Sequence, residues 1–118
     1  MKLTRVGYWA SETQREWPEV KDLVDADWDE AEKEKLATYL SHGILARAYL
    51  GKSTCRICES PNGSTELTDG TYVWPEGLSH YVLEHNVRIP APFVEHALEV
   101  TESIENAEID DSWWRGLT

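Results

Sequence analysis

Cysteine is scarce in this 118-residue chain, with two copies, and phenylalanine and methionine occur once each. Two cysteines exclude a disulfide scaffold of the kind that stabilises small secreted domains. No apolar run comes near the roughly 18 residues of a membrane span. The opening Met1-Lys2-Leu3-Thr4-Arg5-Val6-Gly7-Tyr8 has no continuous apolar stretch to serve as a secretory signal. We therefore expect a cytoplasmic protein whose cysteines stay reduced or bind metal. Positive charge is also short. Eleven Lys and Arg against 22 Asp and Glu give a formal charge of −11, which repels nucleic-acid phosphates and anionic lipid surfaces. Direct nucleic-acid and membrane binding are accordingly disfavoured. The chain has no glycine-rich phosphate loop, no Gly-x-Ser-x-Gly and no His-Glu-x-x-His, so the commonest motif-borne enzyme chemistries have no foothold.

Aromatic content is ample: six Trp and five Tyr within a 41% apolar composition supply large burial per residue and argue for a folded chain. A mass of 13.5 kDa suits one domain spanning 1–118, with roughly 6,500 Å² of surface when folded. The expected architecture is α+β: a short antiparallel sheet or hairpin, about three helices, a ββα-like zinc-stabilised module over 52–90, and an acidic tail over 103–118. Residues 4–9 read as a short strand and 11–18 as a loop. A helix over 28–42 would be capped by Asp25 or Asp27 and turn Ala31, Leu36, Tyr39 and Leu40 inward, with Gly43 as its left-handed terminator. Residues 44–50, bounded by Gly43 and Gly51, read as a buried strand. Asp69-Gly70 between 66–68 and 71–74 signals a hairpin with a type I′ turn. Pro75 would open a helix with Leu78, Tyr81, Val82 and His85 on one side, ended by Asn86. Pro92 would open another, with Phe93, Val94, Ala97 and Leu98 inward.

One constellation carries chemistry: Cys55-x-x-Cys58, then His80-x-x-x-x-His85. Zinc takes four soft or borderline ligands in a tetrahedron, and a Cys-x-x-Cys turn converges two thiolates while a helix supplies two imidazoles. Residues five apart on a regular helix lie about 140° around the axis, so the histidines converge only if the final turn tightens or distorts. Such a site is coordinatively filled and therefore structural. A redox Cys-x-x-Cys would open a helix, whereas Cys58 leads into the turn-forming Glu59-Ser60-Pro61-Asn62-Gly63. Two further readings stay open: small buried thiols with unconnected histidines, and a catalytic zinc with three protein ligands, a water, and Glu59 or Glu84 as base. His42 and His96 read as surface or helix-end residues.

The run Cys55-Arg56-Ile57-Cys58, Asn62-Gly63, then 66–78, His80-Tyr81-Val82, His85 and Val87-Arg88-Ile89-Pro90 resembles a group of small bacterial proteins. The likeness extends to Gly7-Tyr8-Trp9 and covers most of 5–98. It implies a bacterial, soluble, single-domain protein and attaches no activity. The ligand pattern also resembles Cys2His2 zinc modules, with a longer Cys-to-His interval. Glu76 and Glu84, assigned to the same helix as the histidines, count against DNA reading, and Arg88 is the nearby positive charge.

Sixteen of the 22 carboxylates lie in two segments, 16–34 and 95–111. Trp17, Trp28, Trp113 and Trp114 sit in or beside them, and Trp is enriched among interface anchors. Solvated helix faces account for such acidity equally well. Read as an interface, the segments offer Asp25, Asp27, Asp29, Glu30, Asp110 and Asp111 to a basic protein partner. The resulting expectation is a non-enzymatic acidic interaction module with one structural zinc, such as a bacterial immunity or inhibitor protein for a basic toxin or nucleic-acid-binding partner. The alternatives are a hydrolase-like enzyme with an open zinc site and a zinc-supported regulatory or adaptor protein.

Overall fold

Asp29 starts the first helix: its carboxylate accepts from the Glu32 amide at 2.9 Å, which fixes α1 at Glu30–Ser41. The computed structural model describes residues 1–49 and 51–117. The cap is two or four residues later than Asp27 or Asp25, because Asp25 is engaged elsewhere, accepting from the Asp27 amide and pairing with Arg88. The inward face also differs from expectation. Leu36, Ala37 and Leu40 are buried, Ala31 is exposed, and Lys33 is buried with its ammonium between Glu30 and Asn86. Gly43 does not take a left-handed conformation. Its role is close approach, since a Cβ there would lie 2.8 Å from both Leu67 Cβ and Trp74 Cζ2.

Four strands form one mixed sheet: β1 (Thr4–Arg5), β2 (Ile44–Ala48), β3 (Thr65–Thr68) and β4 (Tyr72–Pro75), in the order β1-β4-β3-β2. β1 runs parallel to β4 and the other pairs are antiparallel. The predicted strand over 4–9 is thus two residues long. The strand expected to be buried over 44–50 is an edge, exposed along its length and ending at Ala48, with Leu50 outside the described residues. Its apolar run had suggested a central position, but β3 is its single neighbour in the sheet. The β3–β4 hairpin forms where Asp69-Gly70 indicated. Of the central residues Gly70 and Thr71, Gly70 alone has positive φ, at 93°, a type II′ rather than a I′ pattern. Asp69 stabilises the turn by accepting from the Thr71 and Tyr72 amides.

Pro75 closes β4 instead of opening a helix, and α2 is Leu78–His85 with Glu76 before it. Pro92 does sit in the first turn of α3, Ala91–Glu105. A short 3-10 turn at Val20–Leu23 and a four-residue α4 at Ser112–Arg115 complete the chain. The core gathers Leu36 and Leu40 of α1, Leu78 and Val82 of α2, Phe93 and Ala97 of α3, and Trp74 of β4. Trp74 is fully buried and its indole donates to the Leu40 carbonyl at 3.0 Å, tying sheet to helix. The hairpin is therefore part of the main core and not a separate small module. Residues 102–117 are all exposed. Accordingly the accessible surface is 8384 Å², well above the roughly 6,500 Å² of a compact chain of this mass. No helix is long and apolar enough to cross a membrane.

Candidate metal centre

Cys55 and Cys58 lie on the tip of a small two-stranded excursion closed by the Thr54–Pro61 bridge. Ser53 donates to the Gly63 carbonyl at 2.7 Å and Asn62 donates back to Ser53 at 2.9 Å. Within the tip, the Cys55 amide donates to the Ser60 carbonyl and the Glu59 amide to the Cys55 carbonyl, both at 2.9 Å. The Ile57 amide points at Cys55 Sγ from 3.4 Å. The tightness of the turn forces Glu59 to a φ of 63°, outside the usual range for a side-chain-bearing residue. The Arg56 amide donates to the Tyr81 hydroxyl at 2.8 Å, docking the tip on α2.

The helix side of the site depends on how α2 ends. Asn86 adopts the left-handed conformation at φ 53°, and its amide bonds the Tyr81 carbonyl five residues back. The Val87 amide bonds that same carbonyl. A bond spanning five residues widens the last turn, and the His80 and His85 rings converge, with centroids 5.0 Å apart. The final turn distorts by widening, where tightening was the other expectation.

The four predicted side chains come together: one ligand atom from each of Cys55, Cys58, His80 and His85 lies within 4.8 Å of every other. Cys55 is buried and Cys58 exposed. Cys58 Sγ is 3.2 Å from Ser60 Oγ and 3.3 Å from His80 Nε2. Hydrogen bonds with the Ser60 side chain and backbone foremost, with the His85 and His80 imidazoles beside it, pull the Cys58 thiol down to about 5. At neutral pH it is a thiolate, the form that ligates metal. His85 Nε2 is buried with no hydrogen-bond partner. An orphaned buried imidazole nitrogen is costly, and ligation of a metal ion would satisfy it. The donor set and its spread can hold a metal ion.

Ser60 and Tyr81 were not singled out from sequence as site residues. Ser60 read as turn chemistry and Tyr81 as helix core; the signal available for the first was a hydroxyl two residues past a ligand. His96 donates from Nε2 to Asp69 Oδ2 at 3.1 Å, at the β3–β4 turn, and His42 bonds the Thr38 carbonyl. Neither joins the group. Glu76 is not on the histidine helix; its carboxylate accepts from the Ser64 and Thr65 amides, and the Ser64 amide foremost lowers its pKa.

The interface candidates are scattered. Trp28 is buried, its indole donating to Glu32 at 3.0 Å. Trp17 is half-buried against Tyr8, with centroids 5.5 Å apart. Asp29 caps α1, Glu30 pairs with Lys33, and Asp25 pairs with Arg88. Arg88 also stacks over Trp28 at 5.0 Å. Asp27, Asp110 and Asp111 are exposed, the last paired with Arg115. Trp113 and Trp114 are 74% and 69% exposed, side by side at 6.3 Å. Comparisons with protein-family models, with curated proteins and with solved structures find no match to the chain.

Proposed function

We propose that the chain is a non-enzymatic, acidic protein-interaction module, cytoplasmic and held by one structural zinc ion. Zinc is the metal that best suits two thiolates and two imidazoles. Ideal Zn–S and Zn–N lengths put a tetrahedral S···N pair about 3.5 Å apart, and the Cys58–His80 separation of 3.3 Å is close to that. Convergence of all four ligands favours a filled site over one that keeps a water for hydrolysis. The role follows from position: the ion would fasten the 53–63 excursion, which carries little apolar surface, to α2.

The observation that carries the interaction reading is the C-terminal segment. Ile109, Trp113, Trp114 and Leu117 are all more than half exposed, in a stretch where Glu105, Glu108, Asp110 and Asp111 also lie in solvent. Exposed aromatics rimmed by one sign of charge suit docking to a basic surface. With the small size, the acidity, the lack of enzyme motifs and the single metal site, the reading extends to a bacterial immunity or inhibitor protein for a basic toxin or nucleic-acid-binding partner. The test is a pull-down from the native host with the parent chain and with a Trp113→Ala, Trp114→Ala double variant. A basic protein retained by the parent and lost by the variant is expected; equal recovery by both, or recovery of nothing, contradicts the reading.

A further inference from the structure

At the other end of the sheet from the β3–β4 turn, an open cleft of about 390 Å³ lies between β1, the end of β2 and residues 51–53. Its walls are aromatic: Tyr8 and Trp17 on one side and the half-exposed Tyr49 on the other. Its charge is opposite to that of the molecule. Arg5 and Lys52 both line it, and among the described residues neither has a carboxylate within ion-pair distance, although the chain has 22. The Arg5 guanidinium is held over the Tyr8 and Trp17 rings, 5.2 and 5.6 Å from their centroids, which fixes its plane. The one acid in the wall, Glu66, is buried and accepts from the Tyr49 hydroxyl.

A smaller pocket of about 180 Å³ shares Tyr8, Trp17 and Ser53 with this cleft and adds Trp9 and Arg56. Trp9 Nε1 is buried there without a hydrogen-bond partner, while the Tyr8 hydroxyl faces Glu66 and Arg5. The region thus has donors in excess: two guanidinium or ammonium groups, an orphaned indole N–H and the Ser53 hydroxyl, against a carboxylate already engaged. Buried donors without acceptors are rare in finished structures and mark places where an acceptor is missing. The volume lies in the range of small-molecule sites, and stacked aromatics favour a flat ring.

We propose that this cleft binds a small organic oxyanion carried on a flat ring, its oxygens at Arg5 and Lys52 and its ring against Trp17 and Tyr49. Carboxylate and phosphate share that chemistry. The site is separate from the C-terminal segment, and Ser53 and Arg56 reach it from the excursion that carries Cys55 and Cys58. The experiment is calorimetric titration of the full-length protein with indole-3-acetate and with adenosine 5′-monophosphate, alongside acetate and inorganic phosphate as ringless controls. Saturable 1:1 binding of at least one ringed probe is expected, with the matching ringless anion about tenfold weaker or undetectable. Which of the two binds identifies the oxyanion. Lys52→Ala, at an exposed position, should weaken binding about tenfold without changing the melting temperature, and Arg5→Lys, which keeps charge but loses the fork, should weaken it as well. No saturable binding of either ringed probe up to about 10 mM, ringless anions binding as tightly, or indifference to both substitutions would overturn the proposal.

Discussion

Trp74 and Cys58 sit at opposite extremes of burial, and each has a checkable consequence. Trp74 fills the space between β4, α1 and α3 and satisfies the Leu40 carbonyl with its indole N–H. Trp74→Phe removes both volume and that donor, leaving a buried carbonyl at a helix end unpaired. We expect a loss of about 2–4 kcal/mol in denaturant unfolding; a loss under about 1 kcal/mol would mean that the carbonyl finds another partner. Cys58 is exposed, and its low thiol pKa of about 5 comes from Ser60 first and the two histidines after it. In metal-stripped protein its alkylation rate should therefore be flat from pH 8 down to about 6 and fall through about 5. An ordinary thiol, with a pKa of about 8.5, would already slow tenfold per unit across that range. Ser60→Ala should shift the fall to higher pH. An unshifted profile for Ser60→Ala, or a parent rate that already drops between pH 8 and about 6, would contradict the hydrogen-bonded thiolate.

Elements in this molecule are joined by interlocks around glycines. Gly63, at φ +86°, would place a Cβ 2.2 Å from Glu76 Cγ, and Gly77 would place one 2.2 Å from the Asn62 side chain. Asn62-Gly63 and Glu76-Gly77 thus fit together as two facing pairs, which Glu76 locks by accepting from the amides at the start of β3. Gly63→Ala should cost about 2–4 kcal/mol through strain and displacement of that carboxylate, whereas Gly51→Ala, with nothing within 4 Å, should stay within about 0.5 kcal/mol. Equal effects would deny the interlock. At this scale the sequence was legible where local chemistry decides. Asp69-Gly70 marked the hairpin, Asn86 the end of α2, Pro92 the first turn of α3, and the Cys and His spacings the metal group. It was less legible where tertiary context decides. Ile44 and Leu45 look like core residues but lie on an edge, because what occupies the far side of a strand is not written in the strand. Lys33 is a charged residue of an acidic segment, yet its stem is buried so that its ammonium can reach Asn86 Oδ1 at 2.8 Å and brace the distorted end of α2.

For the whole molecule, the −11 charge divides by structural role. Much of the 16–34 segment is engaged in the fold: Asp25 with Arg88, Asp29 as a cap, Glu30 with Lys33, and Glu32 with Trp28. The C-terminal acids project with their tryptophans, and the radius of gyration of 16.5 Å exceeds the about 13 Å of a compact domain of this length. Removing residues 107–118 should leave the melting temperature within about 2 °C of the parent, while a clear drop would show that the segment packs on the domain. Neither the projection of this segment nor the burial of Trp28 was visible in composition, since both tryptophan-bearing stretches are equally acidic. The claim on which the rest depends is that one metal ion fastens residues 55 and 58 to α2. Its most direct test is zinc titration of the metal-stripped chain with the thermal unfolding midpoint as readout. The midpoint should rise by about 10 °C or more and break sharply at one equivalent per chain. A midpoint that does not move, or one that drifts upward with no break at one equivalent, would contradict the account.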